Sequence, residues 1–229
     1  MNIVVNGGTR GIGKAVVNNL AQDAGNQILV TGRNKESLSA LSASHKNIKS
    51  LTLDMSTFDS QLESFRMAIM ETLGSVDILI NMAGFLVKKE FLDLTNDEAR
   101  LMFETNFFGP ALLIRTIKPM MYSGSHIVNI SSMGGFQGSA KYKGLSVYSA
   151  SKAALACLTE CLALEFKEYG ISVNCLALGA VQTEMFNEAF PGSAAPLDAE
   201  QMAEFITGFA LNGHKYFNGK ILPVAAGNP

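Results

Sequence analysis

Only three cysteines and three histidines occur in the chain of 229 residues, and that scarcity closes off several chemistries. Cys157, Cys161 and Cys175 are odd in number and fall at no zinc-ligand spacing with His45, His126 or His214, so no metal site is expected. The thiols read as free and mostly buried. Net charge is almost missing too, at -2, and the densest basic clusters are Lys88 with Lys89 and Lys141 with Lys143. Neither builds the positive stripe that a polyanion demands, so no nucleic-acid partner is expected. No apolar segment runs uninterrupted to membrane-spanning length, and no basic, signal-like stretch precedes the apolar run Ile3 to Val5. The expectation is a reducing, cytoplasmic setting without a membrane partner.

What is present is the composition of a packed globule, 48% hydrophobic and 17% charged, at a length that fits one α/β domain over residues 1–229. Short β-branched runs alternate with longer amphipathic stretches. The runs Ile3 to Val5, Ile28 to Thr31, Ile48 to Leu53, Val76 to Ile80, His126 to Ile130, Ile171 to Leu176 and Ile221 to Val224 predict seven strands. Between them, Ile12 to Ala24, Lys35 to Ala43, Phe58 to Leu73, Asn96 to Ile117, Val147 to Tyr169 and Asp198 to Leu211 predict six helices. A helix after each strand makes parallel pairing with right-handed crossovers the economical topology. The predicted fold is therefore a Rossmann-type, doubly wound parallel sheet of order 3-2-1-4-5-6-7 with helices on both faces. Ligands of such a sheet sit at the carboxyl ends of its strands, which makes the Gly, Ser and Pro-rich stretches Met133 to Ser146 and Phe190 to Pro196 lid candidates.

Directly after the first strand, Gly7, Gly11 and Gly13 permit a sharp turn and close approach to a pyrophosphate, and the helix that follows aims N–H groups at the anion. The spacing is not the common G-x-G-x-x-G, so this loop alone is a weak signal. The end of the second strand, Val30 to Asn34, carries no acid for a ribose hydroxyl until Glu36. Arg33, helped by Arg10 and Thr9, suits an adenosine 2′-phosphate instead, and NADP(H) is expected over NAD(H).

Tyr148 and Lys152 lie four residues apart at the start of a strongly helical stretch, which puts both on one face. A cation at that range is expected to lower the phenol's pKa and ready it for proton exchange with a carbonyl or alcohol oxygen. The spacing itself is cheap: Tyr216 and Lys220 repeat it across a turn, where helical adjacency fails. Position after the fifth strand favours Tyr148. Upstream, Ser132 ends that strand and offers a hydroxyl to a developing oxyanion.

These residues together resemble the short-chain dehydrogenase/reductase family over essentially the whole chain. Gly7, Gly11, Ile12 and Gly13 are similar to its cofactor loop, Asp54 with Met55 to its adenine-contacting site, and Asn81, Met82, Ala83 and Gly84 to its NAAG motif. The resemblance implies that Ser132, Tyr148 and Lys152 are catalytic, with Lys152 also bonding the nicotinamide ribose. It implies that Asn106 holds a water in a proton relay from Lys152, and that Gly179, Val181 and Thr183 anchor the carboxamide. Gly219 and Gly227 flank a strand similar to the family's closing segment. Four departures stand out: Asn6 for Thr, Met82 for Ala, Leu178 for Pro, and a longer interval from Ser132 to Tyr148, with extra residues around Lys141 to Gly144.

The implied activity is hydride transfer between nicotinamide and a carbonyl or secondary alcohol. The alternatives are a catalytically silent, NADP(H)-sensing binding protein and an epimerase or dehydratase on the same scaffold. Phe85, Leu86, Met133, Phe136, Leu145, Phe186 and Phe190 predict an apolar or aromatic-friendly substrate pocket. The segment Glu184 to Leu197 is short for a family lid and predicts an open cleft. Surplus apolar residues on the helices Asn96 to Ile117 and Val147 to Tyr169, among them Phe107, Phe108, Leu112, Leu155, Leu158 and Leu162, predict a homodimer or homotetramer.

Overall fold

The computed structural model describes residues 1–226. In chain order its elements are β1 (Asn2–Asn6), α1 (Gly11–Ala21), β2 (Gln27–Gly32), α2 (Lys35–Ser44), β3 (Ile48–Thr52), α3 (Leu62–Thr72), β4 (Ile78–Asn81), α4 (Asn96–Phe103) and α5 (Gly109–Ile117). They continue with β5 (His126–Ser132), α6 (Ser146–Glu165), β6 (Ser172–Leu178), β7 (Val181–Gln182), α7 (Glu184–Ala189), β8 (Leu197–Asp198), α8 (Ala199–Asn212) and β9 (Ile221–Val224). Seven strands form one all-parallel sheet in the order β3-β2-β1-β4-β5-β6-β9. This is the expected doubly wound topology, with β9 as the seventh strand. β7 and β8 pair separately over two residues each. That ladder and α7 carry too few residues for a period to register in the sequence.

The strands read as nearly continuous apolar runs because both faces are covered. Ile3 and Val5 point into the layer that holds Val16, Leu20, Met202 and Ile206, while Val4 points the other way toward Phe65, Ile69, Leu113 and Ile117. One row of polar residues crosses this pattern from strand to strand. Thr31, Asn6, Asn81 and Asn129 stand side by side across β2, β1, β4 and β5, near the carboxyl ends of the strands. All four are buried, and they are tied in pairs: Thr31 Oγ1 donates to Asn6 Oδ1 at 3.1 Å, and Asn81 Nδ2 to Asn129 Oδ1 at 2.8 Å. Asn129 Nδ2 in turn donates to Thr159 Oγ1 of α6 at 2.9 Å.

Several expected boundaries need correction. The helix expected over 58–73 starts as a 3-10 stretch, Met55–Gln61, with Thr57 out of helical geometry, before α3 begins at Leu62. The helix expected over 96–117 is divided by a π-helical turn at Glu104–Phe108, a wide turn of a kind common at functional sites. The helix expected to reach Tyr169 stops at Glu165, and the chain turns at Gly170 with φ 68. β4 starts at Ile78 rather than Val76, whose N–H bonds the Met120 carbonyl instead of the ladder. β5 and β6 run two residues beyond expectation, pairing Ser132 with Leu178, which makes Ser132 the last rung of the sheet.

Cysteine burial also differs from expectation. Cys175 is buried, but Cys157 and Cys161 are exposed, because both lie on the outer face of α6, a helix that buries Leu155, Ala156, Thr159 and Ala163 on its inner side. Leu155 is therefore core rather than a contact surface, and Leu112 and Leu162 pack against the core, whereas Phe108 is half exposed. By length and composition α6 is apolar enough to cross a membrane, with 20 residues and a mean hydropathy of 1.2. It lies along the sheet, its early turns bonded to β5 through Ser131 and Lys152.

Candidate active site

A cleft of about 510 Å3 opens at the carboxyl ends of β1, β4, β5 and β6. Its first wall is the loop from β1 to α1. Gly7 turns the chain with φ 89, and a Cβ there would run into the Ala83 backbone; a Cβ on Gly13 would run into the Gly7 carbonyl. Only glycine fits either place. Arg10 occupies the N-cap of α1 but makes no side-chain cap bond, and the first turn holds no acid. The end of α1 thus presents its dipole and uncapped N–H groups where Gly11, Ile12 and Gly13 line the cleft.

Thr9, Arg10 and Arg33 line the far end of this wall. Arg10 has a partner that local sequence did not announce, Glu188 of α7 at 3.8 Å, both side chains being largely exposed. Such a pair contributes less than about 1 kcal/mol and yields readily to a better anion. Asp54 and Met55 also line this end. Asp54 Oδ1 accepts from Ser56 N at 3.0 Å and Ser56 Oγ at 2.8 Å, and the Met55 sulfur accepts from Asn6 Nδ2 at 3.1 Å.

The opposite wall holds the candidate reacting groups. Ser132 closes β5, its Oγ accepting from Gly134 N at 3.1 Å. Ser131 Oγ donates to the Lys152 carbonyl at 2.8 Å, and Lys152 Nζ donates to the Ile130 carbonyl at 2.9 Å. These two bonds dock the first turns of α6 on the end of β5, so Ser132, Tyr148 and Lys152 all line one wall. Gly84 brings in the next strand connection: a Cβ there would lie 3.4 Å from Lys152 Nζ and 3.7 Å from Asn106 Oδ1.

The electrostatics correct one expectation. Burial pushes the Tyr148 phenol up to about 12, and the Ser132 hydroxyl opposes that rise without cancelling it. Burial pulls Lys152 down to about 8. The ammonium was expected to lower the phenol's pKa, but it is directed at the Ile130 carbonyl, and burial raises the phenol instead. At neutral pH the pair is a neutral phenol beside an ammonium. Cys175, behind Lys152, is likewise pushed up to about 12 by burial, so its thiol stays protonated.

Asn81 and Asn106 are fully buried behind the cleft and do not line it. Asn106 sits in the π turn. Its Oδ1 accepts from Phe85 N at 2.8 Å, and its Nδ2 donates to Phe85 O at 2.9 Å and to Ser151 Oγ at 3.0 Å. Ser151 Oγ donates to the Tyr148 carbonyl at 2.7 Å, so Asn106 ties the strand connection at Phe85 to the turn that carries Tyr148. Neither this Ser151 link nor the Asn129–Thr159 link has a local sequence signal, since each joins segments far apart in the chain. Asn81 Oδ1 is buried without a partner among the described residues.

Ala83, Gly84, Gly179, Val181 and Thr183 complete the cleft. Thr183 Oγ1 accepts from Phe186 N at 3.2 Å and so caps α7. Gly219 turns the chain into β9 with φ 71, and Gly227 lies outside the described residues. Of the expected pocket residues, Leu86, Met133, Leu145, Phe186 and Phe190 line the cleft, whereas Phe85 and Phe136 do not. Tyr142, from the extra residues, lines it unexpectedly, its ring 6.5 Å from that of Phe190. Tyr216 is mostly exposed and outside this cleft, which removes the rival Tyr216–Lys220 pair.

The family model described as short chain dehydrogenase matches residues 1–194. An oxidoreductase from Staphylococcus aureus strain MW2, itself described as uncharacterized, is 31% identical over 219 residues, covering 94% of this chain and 92% of that protein. A short chain dehydrogenase from Burkholderia cenocepacia, solved in complex with NADP, superposes with a TM-score of 0.87 at 26% identity over 98% of this chain and 96% of that one. A blue fluorescent protein from a metagenomic library, in complex with NADPH, gives 0.86 at 27% identity over 99% and 96%.

Proposed function

Because this chain is an oxidoreductase that belongs to the short-chain dehydrogenase family, we propose that it interconverts a carbonyl and a secondary alcohol with NADP(H), Tyr148 carrying the proton. The observation that carries the reading is the gathering of Ser132, Tyr148 and Lys152 on one wall of a cleft whose other wall is a glycine loop at an uncapped helix end. The residues fit a dinucleotide. The space above Gly7 and Gly13 tolerates no side chain, Asp54 stands at the end where an adenosine would lie, and Arg33 is free of any salt bridge among the described residues. The complexes of the two structural relatives with NADP and NADPH support the same cofactor class.

NADP(H), when bound, supplies or accepts the hydride. The chain's own residues handle the oxygen. Ser132 Oγ donates to the substrate oxygen and holds it against Tyr148. In reduction, Tyr148 Oη, protonated at neutral pH, gives its proton to that oxygen as negative charge builds there. Lys152, held by Ile130 and charged below about pH 8, stabilises the phenolate left behind and would hydrogen-bond the nicotinamide ribose. Asn106 and Ser151 act as positioning residues, keeping Tyr148 and Gly84 in register. Gly179, Val181 and Thr183, which line the cleft, would hold the carboxamide, and Ala83 and Gly84, with Asn81 behind them, floor the cleft. Arg33, with Thr9 and Arg10, favours the 2′-phosphorylated cofactor through charge-assisted bonds. A homo-oligomer forms through the outer faces of α4, α5 and α6, where Phe108 and Leu164 stand exposed.

The test is consumption of NADPH with a panel of ketones, run beside Tyr148→Phe. Turnover lost in the variant, with NADPH binding retained, supports the reading; equal turnover in both proteins defeats it.

A further inference from the structure

An exposed cation, Lys88, stands beside the aromatic lining of the substrate end of the cleft. Lys88 follows β4 by seven residues, and its chain is held from two sides. Its Cγ lies 3.1 Å from where a Cβ on Gly144 would stand, and its Nζ lies 4.0 Å from the centroid of the Phe190 ring. Lys89 N donates to the Gly144 carbonyl at 3.1 Å, which fastens the extra residues 141–144 to this segment. Phe190 also faces Phe186 at 5.3 Å and Tyr142 at 6.5 Å between ring centroids, and all three rings line the cleft. The Phe190 ring face offsets part of the rotamer freedom a lysine loses when held, but it leaves the charge without an anionic partner.

The neighbouring lysines do have anionic partners. Lys89 pairs with Glu98 at 2.5 Å and Lys143 with Glu90 at 2.7 Å, but Lys88 has no carboxylate within ion-pair distance among the described residues. The acids that line the cleft are Asp54 and Glu184. Asp54 lies at the end of β3, and Glu184 lies beside Gly11, so both belong to the phosphate end. Three aromatic rings thus line the mouth, and the Lys88 ammonium lies over one of them, Phe190, without an ion-pair partner among the described residues.

We propose that the substrate is an aryl or similarly apolar ketone bearing a carboxylate, with its apolar body on Phe186, Phe190 and Tyr142 and its carboxylate on Lys88. The proposal rests on the reading of the cleft as a ketone site. The ketone end goes to Ser132 and Tyr148, and the carboxylate marks the other end of the molecule, so Lys88 sets both selectivity and orientation. At a partly wet rim, a charge-assisted bond is worth roughly fivefold to tenfold in affinity.

Binding and turnover are read separately. Phenylglyoxylate, 4-oxo-4-phenylbutanoate and 5-oxo-5-phenylpentanoate, each beside its methyl ester, are titrated calorimetrically into the protein saturated with NADP+, where ketone reduction cannot proceed. At least one acid is expected to bind about fivefold tighter than its ester or better. In Lys88→Met that ratio falls to about one, and in Lys88→Arg it is retained. Acids and esters that bind alike at every chain length, including no binding of either, overturn the proposal, as does a preference that survives in Lys88→Met. Reduction of the same compounds is then followed with NADPH. Ketones that bind with the Lys88-dependent preference yet are never reduced count against carbonyl reduction and leave the role of Lys88 standing.

Discussion

Acid should destabilise this protein through one histidine, well above the pH at which carboxylates titrate. His126, at the start of β5, is fully buried. Its Nδ1 lies 2.9 Å from the Ala210 carbonyl and its Nε2 lies 3.0 Å from Asn174 Nδ2, so the neutral ring donates to the first and accepts from the second. A second proton would have to sit on Nε2 and face the Asn174 amide. Burial first of all, with His214 as a further positive neighbour, pulls the pKa from 6.5 down to about 4, against the opposing pull of the Ala210 carbonyl. Between those values the unfolded chain binds a proton that the folded chain refuses. Stability is therefore complete above about pH 7 and falls as pH drops through 6.5 toward 4. At about 1.4 kcal/mol per pH unit, the loss comes to roughly 3 kcal/mol at its limit. That is a large share of the 5–15 kcal/mol typical of a folded domain (roughly). Urea midpoints at intervals from pH 7.5 to 5.0, for the wild type and for His126→Gln, isolate this contribution, because every other group is common to both proteins. An equally steep acid slope in His126→Gln refutes the argument, as does an NMR titration of the His126 ring in the folded protein near pH 6.5.

Other outcomes follow from the cleft. Tyr148→Phe should lower kcat/KM by about 100-fold to 10,000-fold, the usual span for a lost proton donor, while the Kd for NADPH measured by fluorescence stays within about twofold. Gly13→Ala should abolish detectable NADPH binding, because its Cβ meets the Gly7 carbonyl and the loop must open; tight binding in that variant contradicts the cradle. Arg33→Ala should raise KM for NADPH about tenfold and leave KM for NADH nearly unchanged, which steady-state kinetics with both cofactors will read. Asn106→Ala removes bonds to Phe85 and Ser151 rather than a contact with substrate, so it should lower kcat together with the melting temperature. A kcat loss with an unchanged melting temperature would instead assign Asn106 a direct chemical part.

Much of this was legible in local signals. β-branched runs alternating with amphipathic stretches imply parallel strands and crossover helices, and the glycines of the first turn leave no room for another reading once Gly7 and Gly13 are seen against backbone. Tyr148 and Lys152 are adjacent because a helix makes them so. Burial was less legible. The Tyr148 phenol was expected to be more acidic than normal beside Lys152, yet its surroundings raise it to about 12. The resemblance gave Asn106 a water in a relay from Lys152, and no local signal announced that its side-chain amide bonds Phe85 and Ser151.

Periodicity and spacing thus pointed to the sheet, its order and the edge where ligands lie, though not to α7, which also lines that edge. Tertiary structure decided how each group is charged, which asparagines pair across β4 and β5, and that Lys88 stands fixed against Phe190 without a carboxylate. The physical reason is range. Backbone geometry repeats every two or 3.6 residues and leaves its mark in neighbouring letters, whereas desolvation and contacts between segments as distant as Lys88 and Phe190 exist only after the chain has closed on itself.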